Sequence, residues 1–314
     1  MENFVTIVDK NFLPQVIVML NSLCRFSTEY KVWVFCMDEV SITELSSEQS
    51  IQKSCSLISI DKLMTYEIAE ARKNRTHGEF IWTLTPFLYS CVFDLDNSIS
   101  RITYLDADLY FNKSPEILLD LFSKSKKQIF LTPHGFPPNE DLSELVGKFC
   151  VQFLTVSREA DAFLKWWQIR CLEWCGSVPT DGKFGDQKYL DLVPELFPNL
   201  YFSLENIELT QGPWNMKRFN PSDSVFFHFH GVRIKNTKII ISGILPDNLY
   251  MKDLYFEYLL KLFDIIKDSD AKFLQYRILK KFPLINHDDL YRLFSWLLRL
   301  NLIVFTEKKL RRGV

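Results

Sequence analysis

The sequence predicts an α/β fold around a mixed, mostly parallel central sheet, followed by a helical C-terminal extension. Three observations predict it. Strand-like and helix-like patterns alternate through the first half of the chain. No run of about 18 or more uncharged apolar residues offers a spanning helix. Charge is divided unevenly. From Lys272 onward there are ten Lys and Arg against three Asp and Glu, leaving 27 against 36 in the rest of a chain of net charge −2.

The elements follow in order. FVTIV reads as a first strand, and NFLPQVIVMLNSLCRF continues with helical spacing, Pro14 being tolerated in a first turn. KVWVFCMD and SCSLISI read as the second and third strands. Residues 61–73 read as one helix, and EFIWTLTPFLYSCVF as another that Pro86 bends or begins. RITYLDAD is a strand ending in two aspartates. SPEILLDLF opens a helix with Ser114 as cap and Pro115 in the first turn. QIFLTPH and FCVQFLTVS read as strands, and 159–175 as a long helix. The boundaries predicted are a first domain over 1–245 and a basic-aromatic extension over 246–314.

Composition excludes several classes. The chain is 47% hydrophobic and 24% charged, as expected of a globular protein with a sizeable core. Seven scattered cysteines, odd in number, predict reduced thiols and a cytoplasmic setting. The N-terminus shows no basic segment leading into an apolar one, so no secretory signal is expected. No G-x-G-x-x-G follows the first strand, which argues against a dinucleotide-dependent enzyme. TIVDKNFLPQ contains no glycine, which argues against a nucleotidyltransferase phosphate loop. The negative balance of residues 1–271 disfavours nucleic acid as a partner.

Chemistry concentrates in three stretches. In YLDADLYF (104–111), Asp106 and Asp108 stand two apart at a strand end, so their side chains point the same way. Two carboxylates in that arrangement suit a hard cation, Mn²⁺ or Mg²⁺; the alternative is a pair of solvated loop acids. In FFHFHG (226–231), His228 and His230 share one side of an extended segment, and the alternative for His230 is a hydrogen-bonded core histidine. In FGDQKYLD (184–191), Asp186 suits a substrate hydroxyl or a helix cap, and Gln187 offers an amide for reading a sugar.

Taken in order, TIVDKNFLPQVIVMLNSL, YLDADLYF, FGDQKYLD and HFHG resemble the GT-A glycosyltransferases. The likeness is greatest to the retaining bacterial family 8 enzymes of lipopolysaccharide and surface-polysaccharide synthesis, and it covers residues 3–240. EFIWTLTPFL, CLEWC and GPWNMKRF are similar to a bacterial subgroup. The resemblance implies a hexose moved from a nucleotide-diphosphate sugar, UDP-sugar favoured, to a glycan or lipid-linked acceptor. It implies that Asp106, Asp108 and His228 bind the metal, that Asp106 also contacts the ribose, and that Asp9 and Asn11 contact the nucleotide. It implies further that Asp186 holds hydroxyls of the donor sugar, that Gln187 lies beneath the reacting face, and that Arg233 or Lys235 meets the diphosphate.

One departure stands out. KFCVQFL places Cys150 and Gln152 where such enzymes carry Asn and Gly, so Gln152 is expected to narrow the site. An impaired sugar-nucleotide-binding protein is therefore the alternative. The basic-aromatic extension suits peripheral contact with the inner membrane face, or a helical unit packed on the core.

Overall fold

The computed structural model describes residues 1–26, 29–48, 53–235, 238–242, 249–268 and 302–305. The chain opens with β1 (Glu2–Val8), α1 (Leu13–Cys24), β2 (Tyr30–Cys36), α2 (Glu39–Ser47) and β3 (Cys55–Ser59). Strands β3, β2 and β1 lie side by side, all parallel. Helices α3 (Tyr66–Lys73) and α4 (His77–Leu95) then lead to β4 (Arg101–Leu105), which joins the other side of β1, also parallel. A short β5 (Leu109–Phe111), α5 (Glu116–Ser125), β6 (Ile129–Pro133) and the four-residue α6 (Ser143–Val146) follow. Then come β7 (Phe149–Ser157), α7 (Asp161–Glu173), the short α8 (Val193–Leu196) and β8 (Tyr201–Ser203). The sheet order is β3-β2-β1-β4-β7-β6-β8, and β7 runs antiparallel to both neighbours.

Alternation along β1 explains how both faces of this sheet are covered. Val5 and Ile7 face a core shared with Phe80, Leu84 and Leu88 of α4 and Phe163 and Trp167 of α7. Phe4 and Val8 face the opposite core, with Val16 and Leu20 of α1 and Leu118 and Phe122 of α5. Residues two apart share a face, so a strand buried on both sides reads as a continuous apolar run.

The single helix expected over 61–73 is two pieces. Residues Ile60–Leu63 form a 3-10 turn whose Asp61 N–H is taken by Ser59 Oγ, and α3 starts afresh at the Thr65 cap. Local side-chain acceptors outcompete helix continuation there. Pro86 neither starts nor ends α4, which begins at a Thr76–Glu79 capping box and carries Pro86 in its interior.

The remaining strands are β9 (Thr210–Gln211), β10 (Phe226–His228), β11 (Val232–Lys235), β12 (Lys238–Ser242) and β13 (Leu302–Phe305). β10 lies between β5 and β9, and β12 between β11 and β13. Helix α9 (Leu249–Asp268) packs Tyr255, Tyr258 and Leu262 on Phe227, Phe229 and Val232. Within the extension only α9 and β13 are described; the basic segments 269–301 and 306–314, on which the membrane expectation rests, lie outside the described residues. Among the described residues no helix is long and apolar enough to cross a membrane. All seven cysteines are free thiols.

Candidate active site

The carboxyl ends of β1 and β4 stop side by side, and their next residues are Asp9 and Asp106. In parallel sheets this is where ligands bind. A cavity of about 590 Å³ opens there. It is lined by Asp9, Asp106, Asp108, Asp186, Gln187, His228, His230 and Arg233, which lie far apart in sequence.

Register explains the central cluster. β10 pairs antiparallel with β5 so that His228 faces Leu109, and the ladder extends to a Phe229 N–H···O=C Asp108 bond of 2.9 Å. His228 is thereby placed beside the aspartates that precede β5. Its Nε2 is 2.9 Å from Asp108 Oδ1 and 3.7 Å from Asp106 Oδ2. Donor atoms of Asp106, Asp108 and His228 all lie within 4.8 Å of one another. Two carboxylates and an imidazole form a donor set that suits a borderline divalent ion.

The imidazole is oriented from behind. Its Nδ1 is 2.9 Å from Gln152 Oε1, and an amide oxygen only accepts, so Nδ1 carries the proton and Nε2 is turned to the carboxylates. Gln152 is fully buried and is absent from the cavity lining. The expectation that Gln152 narrows the site is therefore corrected: the side chain lies behind His228 and supports it. Cys150 does reach the wall.

Charges are shared tightly. Burial would raise the Asp108 carboxyl, but the His228 charge and hydrogen bond, with Arg233 behind them, hold it well below the usual range. Burial raises the Asp106 carboxyl, and Asp108 adds to that against the pull of His228. Tyr104 donates its hydroxyl to Asp106 Oδ1 at 2.9 Å. Burial would lower His228, yet Asp108 raises it well above the ordinary imidazole range.

Asp9 is 3% exposed and is held from two sides, by His77 Nε2 and by Asn11 Nδ2, both at 2.7 Å from Oδ2. Asn11 itself is exposed and outside the cavity lining. Arg233 Nη1 is 3.3 Å from Asp108 Oδ2, and its guanidinium lies over the Phe12 ring at 4.7 Å. Lys235 sits two residues on along β11; its side chain is outside the described residues.

Asp186 faces the cavity at 6% exposure rather than capping a helix. Burial, with the Asp106 charge adding to it, raises its carboxyl to about 7, while Thr85 pulls the other way. Gly185 just before it has φ +52, a left-handed conformation that favours glycine, and an added Cβ would stand 3.5 Å from the Trp82 ring. Gln187 donates to the Val146 carbonyl at 2.7 Å, tying the Asp186 segment to α6. His230 is exposed at the rim, so the alternative of a core histidine is not realised.

Sequence reasoning missed His77, Tyr104, Trp82, His134 and Trp214. Tyr104 had a readable signal, since it alternates with Asp106 on one strand face. Trp82, His134 and Trp214 reach the cavity only through tertiary packing, and His77, which is outside the lining, meets Asp9 in the same way.

No family model matches the chain. The uncharacterized protein YfnF of Bacillus subtilis (strain 168) is 27% identical over 293 residues, covering 86% of this chain and 95% of the relative. Among solved structures, the glycosyltransferase GlyE of Streptococcus pneumoniae TIGR4 is 17% identical with a TM-score of 0.52, covering 90% of this chain and 67% of that one. The bifunctional glycosyltransferase WbbM is 13% identical with a TM-score of 0.52, covering 84% of this chain and 51% of that one. The fold is thus the GT-A glycosyltransferase fold, with a mixed, mostly parallel sheet.

Proposed function

We infer that the protein is a metal-dependent glycosyltransferase. It moves a hexosyl group from a nucleotide-diphosphate sugar, a UDP-sugar before others, to a glycan or lipid-linked acceptor at the cytoplasmic membrane face in bacterial surface-polysaccharide synthesis. One observation carries this reading. Asp106, Asp108 and His228 converge in the same cavity as Asp9 and Asp186. The fold and its glycosyltransferase neighbours support it.

The residues fit a divalent ion, since Gln152 fixes the tautomer that leaves His228 Nε2 facing both carboxylates. Asp106, Asp108 and His228 would hold Mn²⁺ or Mg²⁺. Such an ion supplies positive charge to the leaving diphosphate. Asp9, fixed by His77 and Asn11, takes the ribose or base. Arg233, with Lys235 two residues on along β11, adds charge where phosphate negative charge grows, which favours the transition state over the ground state. Asp186 and Gln187 hold hydroxyls of the donor sugar.

With retention, the acceptor hydroxyl attacks the face from which the phosphate departs. The anomeric C–O bond to phosphate breaks, the new C–O bond forms, and the acceptor proton passes to the departing phosphate oxygen. No dedicated side-chain base is needed.

The test is a thermal-shift panel of UDP-, GDP-, CMP- and dTDP-sugars, each with Mn²⁺ and with EDTA. A shift for UDP-sugars that EDTA abolishes is expected. Absence of any metal-dependent shift across the panel would overturn the reading.

A further inference from the structure

Apolar residues share the cavity lining with Asp186 and Gln187, among them Trp82, Leu142, Val146 and Phe184. Trp82 and Phe184 stand with ring centroids 6.2 Å apart, just before Asp186 in the chain. Val146 is joined to the Asp186 segment directly, because its carbonyl takes the Gln187 amide at 2.7 Å.

Helix α6 carries this lining out to the surface. The N–H groups of Leu145 and Val146 both donate to the Leu142 carbonyl at 2.9 Å, so the three side chains lie within one turn. Val146 is half-buried, whereas Leu142 is 46% exposed and Leu145 54%. Leu142 thus belongs to the cavity lining and to the surface at once.

Left free, such side chains would turn inward, away from water. Four residues do not hold a helix by themselves either. The turn is pinned from outside instead. Ser143 N–H donates to Asp141 Oδ1 at 2.8 Å, and the Ser143 carbonyl takes Lys188 Nζ at 2.7 Å. Glu140 pairs with Lys217 at 2.8 Å, ahead of the turn. Beyond it, Lys148 N–H donates to Asp191 Oδ1 at 2.8 Å. The leucines are therefore held in water by a scaffold that is fixed at both ends.

Size and position select the occupant. A stable protein partner covers roughly 800 Å² on each side, far more than two half-exposed leucines offer. An alkyl chain fits so narrow a strip. The strip starts at the amide that holds the donor sugar on the glycosyl-transfer reading, so what runs along it is the non-reacting part of the acceptor. A wholly hydrophilic glycan would leave both leucines in water.

We propose that Leu142, Leu145 and Val146 of α6 form a track for the apolar carrier of a lipid-linked acceptor, leading from the donor sugar to the surface. The direction of the track rests on the glycosyl-transfer reading of the cavity; its affinity for an alkyl chain rests on the strip alone.

The test uses the full chain with UDP and Mg²⁺. Saturation-transfer NMR titrations compare methyl and octyl glycosides of glucose, galactose and N-acetylglucosamine, below the concentrations at which the octyl forms make micelles. At least one octyl glycoside is expected to bind about tenfold tighter than its methyl counterpart, since each buried methylene is worth about fourfold. Leu142→Ser and Leu145→Ser should each cut that advantage about fourfold. Leu142→Met and Leu145→Met, which keep the apolar volume, should hold it within about twofold. Both leucines are exposed, so melting temperatures should stay together across the set. Binding of no octyl glycoside, or an octyl advantage that the serine variants leave unchanged, overturns the proposal. A parallel UDP titration separates the two readings. UDP binding without any octyl advantage would sink the track alone. Leucine-dependent octyl binding without any UDP binding would sink the transferase reading and leave the strip's affinity for alkyl chains standing.

Discussion

Replacing Gln152 with leucine separates metal affinity from stability. The amide oxygen is the partner of His228 Nδ1 at 2.9 Å, so the change removes the group that fixes the imidazole tautomer. Outer partners of metal-binding histidines are typically worth about 10–100-fold in metal affinity. Stability should respond far less. Losing the bond to a charged ring costs about 1.5–3 kcal/mol. Gln152 Nε2, however, is buried without a partner, and deleting it recovers about 1–3 kcal/mol. The two effects nearly cancel. The assay is Mn²⁺ titration at saturating UDP, read by the electron paramagnetic resonance signal of free Mn²⁺, beside thermal melts in EDTA. Gln152→Leu should bind Mn²⁺ at least tenfold more weakly (about 1.4 kcal/mol) at a nearly unchanged melting temperature. Affinity within about twofold of the parent would refute the orienting role.

Other consequences can be checked as directly. Asp108→Ala should abolish EDTA-sensitive stabilisation by UDP-sugars, because Asp108 joins His228 and Arg233; normal turnover by this variant would contradict the metal assignment. Glu79 accepts from Thr76 and Ser177, and its carboxyl is held down at about 2, with the Thr76 and Ser177 backbone bonds leading. A lowered carboxyl contributes stability that is present above its ordinary value of 4.5 and is lost as pH falls toward 2. The melting-temperature gap between parent and Glu79→Gln should therefore be full near neutrality and close on acidification through that window. Tyr258→Phe removes a buried hydroxyl without a partner and should be neutral or stabilising by up to about 3 kcal/mol in urea unfolding. Phe229→Ala empties a stack against Tyr258 with centroids 3.7 Å apart and should cost about 3–5 kcal/mol in the same experiment.

Legibility followed the length scale of each cause. Asp106 and Asp108 were readable because period-two geometry and a strand end are local facts, and His228 because FFHFHG alternates in the same way. The first-turn proline of α1 was equally local. The break at Thr65 was missed because apolar spacing continues across it while Ser59 and Thr65 capture backbone N–H groups. The direction of β7 could not be read, since FCVQFLTVS is buried on both faces and pattern alone does not orient such a strand. Gln152 looked like an obstruction in one dimension. Its role depends on a histidine 76 positions away, and His77 reaches Asp9 across 68.

β10 has two audiences. His228 points to the carboxylates, while its neighbours Phe227 and Phe229 are clamped by Tyr255 and Tyr258 of α9. Donor-atom spacing in the cavity is thus calibrated by an aromatic stack that touches no ligand. Variation in that stack which conserves volume would leave melting behaviour intact and detune the imidazole by a fraction of an ångström. Differences in cavity geometry among relatives of this chain can accordingly originate on the far side of a three-residue strand, where a comparison restricted to cavity residues would find nothing changed.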